Sequence, residues 1–114
     1  MSGAIHNATA GAKPPAALFA ALGDETRLAI VTTLSDGEPR SISQLTQGSK
    51  LTRQAITKHL KVLADAGVLR STRIGREVQF VFNPEPIDEL KAYLDLVSRQ
   101  WDDALGRLKS FVET

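Results

Sequence analysis

Residues 48–82 constrain this chain more tightly than any other stretch. Gly48-Ser49-Lys50 reads as a tight turn, Thr52 as the N-cap of a helix running to about Ala66, and Gly67 as its stop. On the helical wheel Ile56, Leu60 and Leu63 share one side, with Ala55, His59 and Val62 continuing the arc. Directly after the stop the period changes from helical to alternating. Val68 to Ile74 reads as one strand, Gly75 as a turn, and Arg76 to Phe82 as a second, where Val78, Phe80 and Phe82 alternate with Glu77 and Gln79. A chain with this sequence of signals places a capped amphipathic helix next to a half-buried hairpin.

The flanks supply more helix. Pro14-Pro15 precedes a short helix over Ala16–Leu22, punctuated by Gly23. Asp24 caps a second, with Glu25 in its first turn and Leu28, Ile30, Val31 and Leu34 as its apolar positions, closed by Ser35-Asp36-Gly37. Glu38-Pro39 reads as loop, and Ser43 as the cap of a short helix through about Gln47. Asn83-Pro84-Glu85-Pro86 breaks the second strand, and a last helix runs from about Ile87 to Val112. The expected fold is mainly α with a small β-wing: five helices and a hairpin, in the order of a winged helix-turn-helix. Residues 1–13, poor in anything to bury, read as a flexible tail, and residues 14–114 as one domain. At 114 residues and 42% apolar content, two independent cores are improbable.

Composition removes several functions. With no cysteine there is no disulfide, thiolate metal site or thiol nucleophile. Two histidines and no phosphate-cradling glycine loop leave no catalytic constellation, so no enzyme and no cofactor is expected. No apolar run reaches membrane-span length, and Met1–Ala12 lacks the basic start and apolar centre of a signal peptide. A cytoplasmic protein with no membrane partner is the expectation.

The net charge of +1 hides an uneven distribution. Residues 50–76 hold seven cations against Asp65 alone, or +6, whereas residues 1–49 carry −1 and residues 77–114 carry −4. Within the basic segment, Arg53, Gln54, Thr57, Lys58 and Lys61 occupy the wheel face opposite the apolar arc. Gln and Arg form paired hydrogen bonds to base edges, Thr donates, accepts or presents a methyl, and Lys neutralises phosphate. This composition suits the major groove of double-stranded DNA, where an ordinary solvated face mixes Glu with Lys. Arg73 and Arg76 flank the hairpin turn, within reach of a phosphate or minor groove, and Lys50 precedes the helix, where it can hold backbone phosphate. His59 borders the apolar arc. It is either a packed histidine or a phosphate contact from the helix flank.

Three motifs carry a family resemblance. Ala20-Ala21-Leu22-Gly23-Asp24-Glu25-Thr26-Arg27-Leu28-Ala29-Ile30 resembles the second-helix signature of the ArsR/SmtB family of bacterial winged-helix repressors. Leu51–Leu63 with Ala66-Gly67-Val68-Leu69 resembles its recognition helix and exit, and Arg73-Ile74-Gly75-Arg76-Glu77-Val78 its wing. The resemblance runs from about Pro15 to Val112. It implies a homodimer that binds a palindromic operator and represses, nucleoid-associated when bound. It also implies that Gln54, Thr57 and Lys58 face the major groove, Arg76 works in the wing and Thr52 fixes the helix start. Family members of the metal-sensing kind release DNA when a metal binds cysteines in the helix before the turn, or Asp, His and Glu on the last helix. Here the first place reads Ile42-Ser43-Gln44-Leu45-Thr46-Gln47, and the last helix has no histidine. Its Asp88, Asp95 and Asp102 are carboxylates alone, poor ligands for zinc-type ions. Asp95–Arg99 and Asp103–Arg107 have i,i+4 ion-pair spacing. The chain thus looks more like the metal-free, autorepressor-like branch, with no metal expected.

A dimer is also expected from the residues themselves. Ile87, Leu90, Leu94, Val97, Trp101, Leu105 and Leu108 form a seam on the last helix, widened by Tyr93 and Ala104, and Leu18, Phe19 and Leu22 of the first helix need cover too. One small domain cannot hide both, so a two-fold dimer joined by these helices is expected, with Trp101 near its interface. Two other readings stay open: a winged helix used for protein interaction, and a repressor released by a small-molecule inducer between the terminal helices. No ligand is indicated.

Overall fold

The computed structural model describes residues 14–113, so the tail expected over residues 1–13 lies outside the described residues. The order of elements is α1 (Pro15–Leu22), α2 (Glu25–Leu34), β1 (Arg40–Ser41), α3 (Ile42–Gln47), α4 (Arg53–Asp65), β2 (Leu69–Ile74), β3 (Glu77–Phe82) and α5 (Glu85–Glu113). This is the expected winged helix-turn-helix with one addition, the two-residue strand β1. It pairs with β3 in register Arg40↔Phe80 and Ser41↔Gln79, giving a three-stranded antiparallel sheet in the order β1-β3-β2.

Local chemistry sets the boundaries. Pro15 begins α1, where the missing N–H would have no helical partner. The Asp24 side chain accepts from the Arg27 backbone N–H at 2.9 Å and starts α2. Thr52 accepts from the Ala55 N–H at 3.1 Å and starts α4. That helix ends in a Schellman turn: Val68 N–H reaches Leu63 O and Gly67 N–H reaches Ala64 O, each at 3.0 Å, with Gly67 at φ +84°. The cap expected at Ser43 belongs to Ser41. Ser41 accepts from Gln44 N–H, and the Gln44 side chain accepts from Ser41 N–H, a reciprocal capping box that moves the start of α3 two residues earlier. The last helix likewise starts at Glu85, with Pro86 tolerated in its first turn.

The core is one cluster. Leu18, Leu34, Ile56, Leu60, Leu63 and Val68 are its largest fully buried side chains, joined by Ile30, Val31, Phe80 and Leu90. Each buried leucine or isoleucine contributes about 1.5–3 kcal/mol of transfer free energy. Leu28, expected among them, is 51% exposed. At 100° per residue it lies about 110° round the helix from the mean direction of Ile30, Val31 and Leu34. The β3 alternation holds at its root, where Phe80 is buried and Phe82 packs on the core, but fades at Val78, which is exposed because the tip extends beyond the core. Asn83 locks the junction. Its backbone N–H donates to Val68 O and its side-chain Nδ2 to Gly67 O, each at 2.9 Å, fixing the hairpin's exit against the end of α4.

Candidate nucleic-acid interface

The inward side of α4 (Ile56, Leu60, Leu63) is buried, which fixes the rotation of the helix and turns Arg53, Gln54, Thr57, Lys58 and Lys61 outward, all exposed. The first four line one shallow depression. The Thr57 hydroxyl donates to Arg53 O at 2.7 Å, so its methyl and oxygen lone pairs are presented in a fixed orientation. Arg53 donates from one guanidinium nitrogen to Ser43 Oγ at 2.8 Å. Lys61 meets Asp65 at 3.0 Å, both side chains largely exposed, an ion pair too well solvated to hold the ammonium against competition from phosphate. Gln54 and Lys58 have no hydrogen-bond or ion-pair partner among the described residues, and neither do Lys50, Arg73 and Arg76, all exposed. Gly75, at φ +65°, makes the tight turn that sets Arg73 and Arg76 at the wing tip. Arg70 points elsewhere, toward Glu85 at 3.7 Å.

His59 takes the packed alternative. Its Nδ1 lies 3.4 Å from an Arg27 guanidinium nitrogen and 3.8 Å from Asp24 Oδ2, and the side chain is mostly covered. Arg27 is the residue that the wheel could not single out. Its guanidinium donates to Ala21 O at 2.6 Å and Ala20 O at 3.2 Å, so one side chain ties the last turn of α1 to α2 and to the flank of α4. The Arg27 N–H, reinforced by the Arg27 and His59 charges, holds the Asp24 carboxyl below its ordinary pKa of 3.8. A depressed carboxylate contributes stability above its unfolded pKa and loses it as pH falls through the folded value. Asp24→Ala is therefore expected to lower the melting temperature at pH 7, by a margin that narrows as pH falls from the carboxyl's ordinary pKa of 3.8 toward its depressed folded value. A margin constant from pH 7 to pH 3 would refute the assignment of this cap to the ionised form.

The residues expected at a dimer surface divide into two groups. Leu18 is a correction: it is 1% exposed within its own chain, packed into the core, and is not offered to a partner. Leu22 is half-buried against the same core. Phe19 lies at the surface with its ring 6.4 Å from Tyr93, edge to face, linking α1 to α5. Along α5, Leu90 is buried, whereas Leu94, Trp101, Leu105 and Leu108 are exposed and Val97 is partly covered. Leu94, Val97, Trp101 and Leu105 line an open groove with Ser98 and Asp102. The spaced pairs Asp95–Arg99 and Asp103–Arg107 do not close to within 4 Å among the described residues. Closing an exposed i,i+4 pair gains little, so such pairs close at some positions, as at Lys61–Asp65, and stay open at others. Among the described residues no three His, Asp or Glu side chains gather as a metal site, and no helix is long and apolar enough to cross a membrane.

Known proteins share this arrangement. A helix-turn-helix domain family matches residues 22–72. The uncharacterized HTH-type transcriptional regulator YuzN of Bacillus subtilis is 42% identical over 80 residues, covering 65% of this chain and 87% of its own. The HTH-type transcriptional regulator Rv2034 of Mycobacterium tuberculosis is 32% identical over 102 residues, covering 90% and 92%. Among solved structures, an ArsR-like transcriptional regulator from Rhodococcus sp. RHA1 superposes with a TM-score of 0.75 at 35% identity, covering 85% of this chain and 91% of that one. With the capped helix, the turn before it and the wing behind it all in place, the chain belongs to the ArsR family of winged helix-turn-helix, DNA-binding transcriptional regulators.

Proposed function

We propose that this protein is a homodimeric repressor that reads a palindromic operator in double-stranded DNA with Gln54 and Thr57, anchored by Lys50, Arg53, Lys58, Lys61, Arg73 and Arg76. The observation that carries the reading is the outer face of α4, where five exposed polar or basic side chains lie together and the helix's one carboxylate, Asp65, stands at its end. An interaction module would present apolar side chains there. Thr52 acts as the cap that sets the helix start, and His59 as a tether of α4 to α2.

The dimer reading is supported by α5, about 43 Å long at 1.5 Å per residue, whose apolar seam beyond Leu90 is largely exposed among the described residues, with Val97 partly covered. A two-fold pair built on that seam sets two α4 helices roughly 34 Å apart, one turn of duplex, and so demands a palindrome. Release of DNA is proposed not to need a metal. The segment Ile42–Gln47 supplies no thiolate or imidazole, and α5 supplies carboxylates spread along an exposed helix rather than a converging set.

One gel-shift series tests the reading. Gln54→Ala and Thr57→Ala are each expected to weaken operator binding by about 1–3 kcal/mol while leaving random duplex nearly unchanged; Lys61→Ala weakens both alike. Equal losses on every sequence for all three variants would defeat base readout. Metal ions and chelator are expected to leave the shift unaltered.

A further inference from the structure

The strand β1, invisible in the sequence, has a consequence for how DNA is gripped. Its register, Arg40 opposite Phe80 and Ser41 opposite Gln79, runs the chain antiparallel along the middle of β3 toward its start and so carries the first turn of α3 alongside Val78 and Glu77, on the way to the wing tip. Arg53, the first residue of α4, reaches across to the same place and donates to Ser43 Oγ at 2.8 Å. The result is a cleft of about 430 Å³ at the junction of α3, α4 and the wing, lined by Ser43, Arg53, Arg76, Glu77 and Val78 among others. Two arginines from different elements thus line one polar cleft. Arg53 spends a single donor on Ser43 and Arg76 spends none among the described residues, so most of their N–H groups remain for a ligand.

We propose that Arg53 and Arg76, with Ser43 orienting Arg53, form one clasp for a single phosphodiester of the DNA backbone, so that recognition helix and wing grip the same phosphate. The inference rests on the DNA-binding reading above and replaces two independent phosphate contacts by a shared one. A phosphodiester carries one negative charge and two non-bridging oxygens, each able to accept from a separate guanidinium fork. Ser43 is a positioning residue: its hydroxyl fixes the Arg53 rotamer without needing to touch DNA. Glu77 opposes the clasp. Its carboxylate accepts from Gln79 Nε2 at 2.9 Å, which keeps it along the strand, but its charge still repels a phosphate at the rim. Glu77→Gln should therefore strengthen binding to any duplex.

The decisive experiment is a double-mutant cycle on random-sequence duplex, read as the slope of log affinity against log salt. Each phosphate lost flattens the slope by about 0.9 on duplex DNA, so a shared phosphate limits the loss in Arg53→Ala/Arg76→Ala to about 0.9, and two separate phosphates would give about 1.8. Under the clasp, the affinity losses of the single variants multiply to more than the loss of the double. Ser43→Ala is expected to reduce the Arg53–Arg76 coupling. Ser43→Asp should reproduce the double variant, because its carboxylate occupies the clasp, while the acidic residue near the start of α3 suits the helix dipole. Independent losses with a slope change near 1.8 would overturn the clasp and leave DNA binding standing; wild-type binding insensitive to salt would remove both. At matched ionic strength, inorganic phosphate is expected to compete with duplex on wild type but not on the double variant; phosphate that binds wild type, and not the double variant, while leaving duplex affinity unchanged would assign the cleft to free phosphate and overturn the backbone assignment.

Discussion

Trp101→Glu/Leu105→Glu is expected to give a folded monomer whose operator affinity falls by about 10³-fold or more, to the level of non-specific binding. Both side chains are largely exposed, at 68% and 60%, and neither belongs to the core, so the subunit loses nothing of its own packing. In a two-fold interface every substitution occurs twice, which places four carboxylates in a surface that association must dry. Burying an unpaired charge costs far more than the apolar contact it replaces. A monomer presents one α4 to one half-site, and the avidity that a second, tethered helix supplies is lost. Sedimentation and operator binding by fluorescence anisotropy check the two halves separately. Persistence of a dimer in the double variant would move the interface off the α5 seam, and a monomer with full operator affinity would remove the palindrome.

The parts of this fold that could be read in advance are those whose cause is local. Thr52, the inward trio Ile56, Leu60 and Leu63, and Gly67 each declare themselves within a few residues, and the structure places the cap, the buried face and the left-handed stop at those positions. The hairpin declares itself by alternation, although not how far the core extends along it, which is why Val78 lies exposed where Phe80 does not.

What escaped has causes distant in sequence. Two residues cannot show a period, and β1 exists because β3 offers it a partner. Ser41 and Ser43 flank Ile42 symmetrically; only the reciprocal bonds with Gln44 decide between them, and those free Ser43 for Arg53. Leu18 and Phe19 are neighbours of equal hydrophobicity on one short helix, and which of them the core takes depends on where α5 crosses. The cluster of Asp24, Arg27 and His59 spans 32 residues between its arginine and its histidine. In the candidate interface, the outward residues of α4 were legible from one wheel, whereas the convergence of Arg53 and Arg76 on one cleft was not, because it needs β1 to bring α3 to the wing.

The two faces of α4 should separate stability from recognition. Leu60 is fully buried on the inward face. Leu60→Ala removes three carbons and leaves a cavity that close-packed neighbours fill only in part, at a cost of about 2–5 kcal/mol. Against the 5–15 kcal/mol typical of a whole domain, that is expected to lower the melting temperature by about 10 °C or more. Gln54→Ala, on the exposed face with no intramolecular partner among the described residues, should leave melting within about 0.5 kcal/mol of wild type. The DNA readout reverses the order. Measured well below its melting point, Leu60→Ala should keep the ratio of operator to random-duplex affinity, because the exposed side chains and the caps at Thr52 and Gly67 are intact in every folded molecule. Gln54→Ala should lose much of that ratio. Calorimetry paired with binding at 15 °C, near the usual temperature of maximum stability, separates the two effects. A Leu60→Ala protein that melted like wild type would show that α4 is not held by its inner face, and the orientation of its outer residues toward a groove would lose its physical basis.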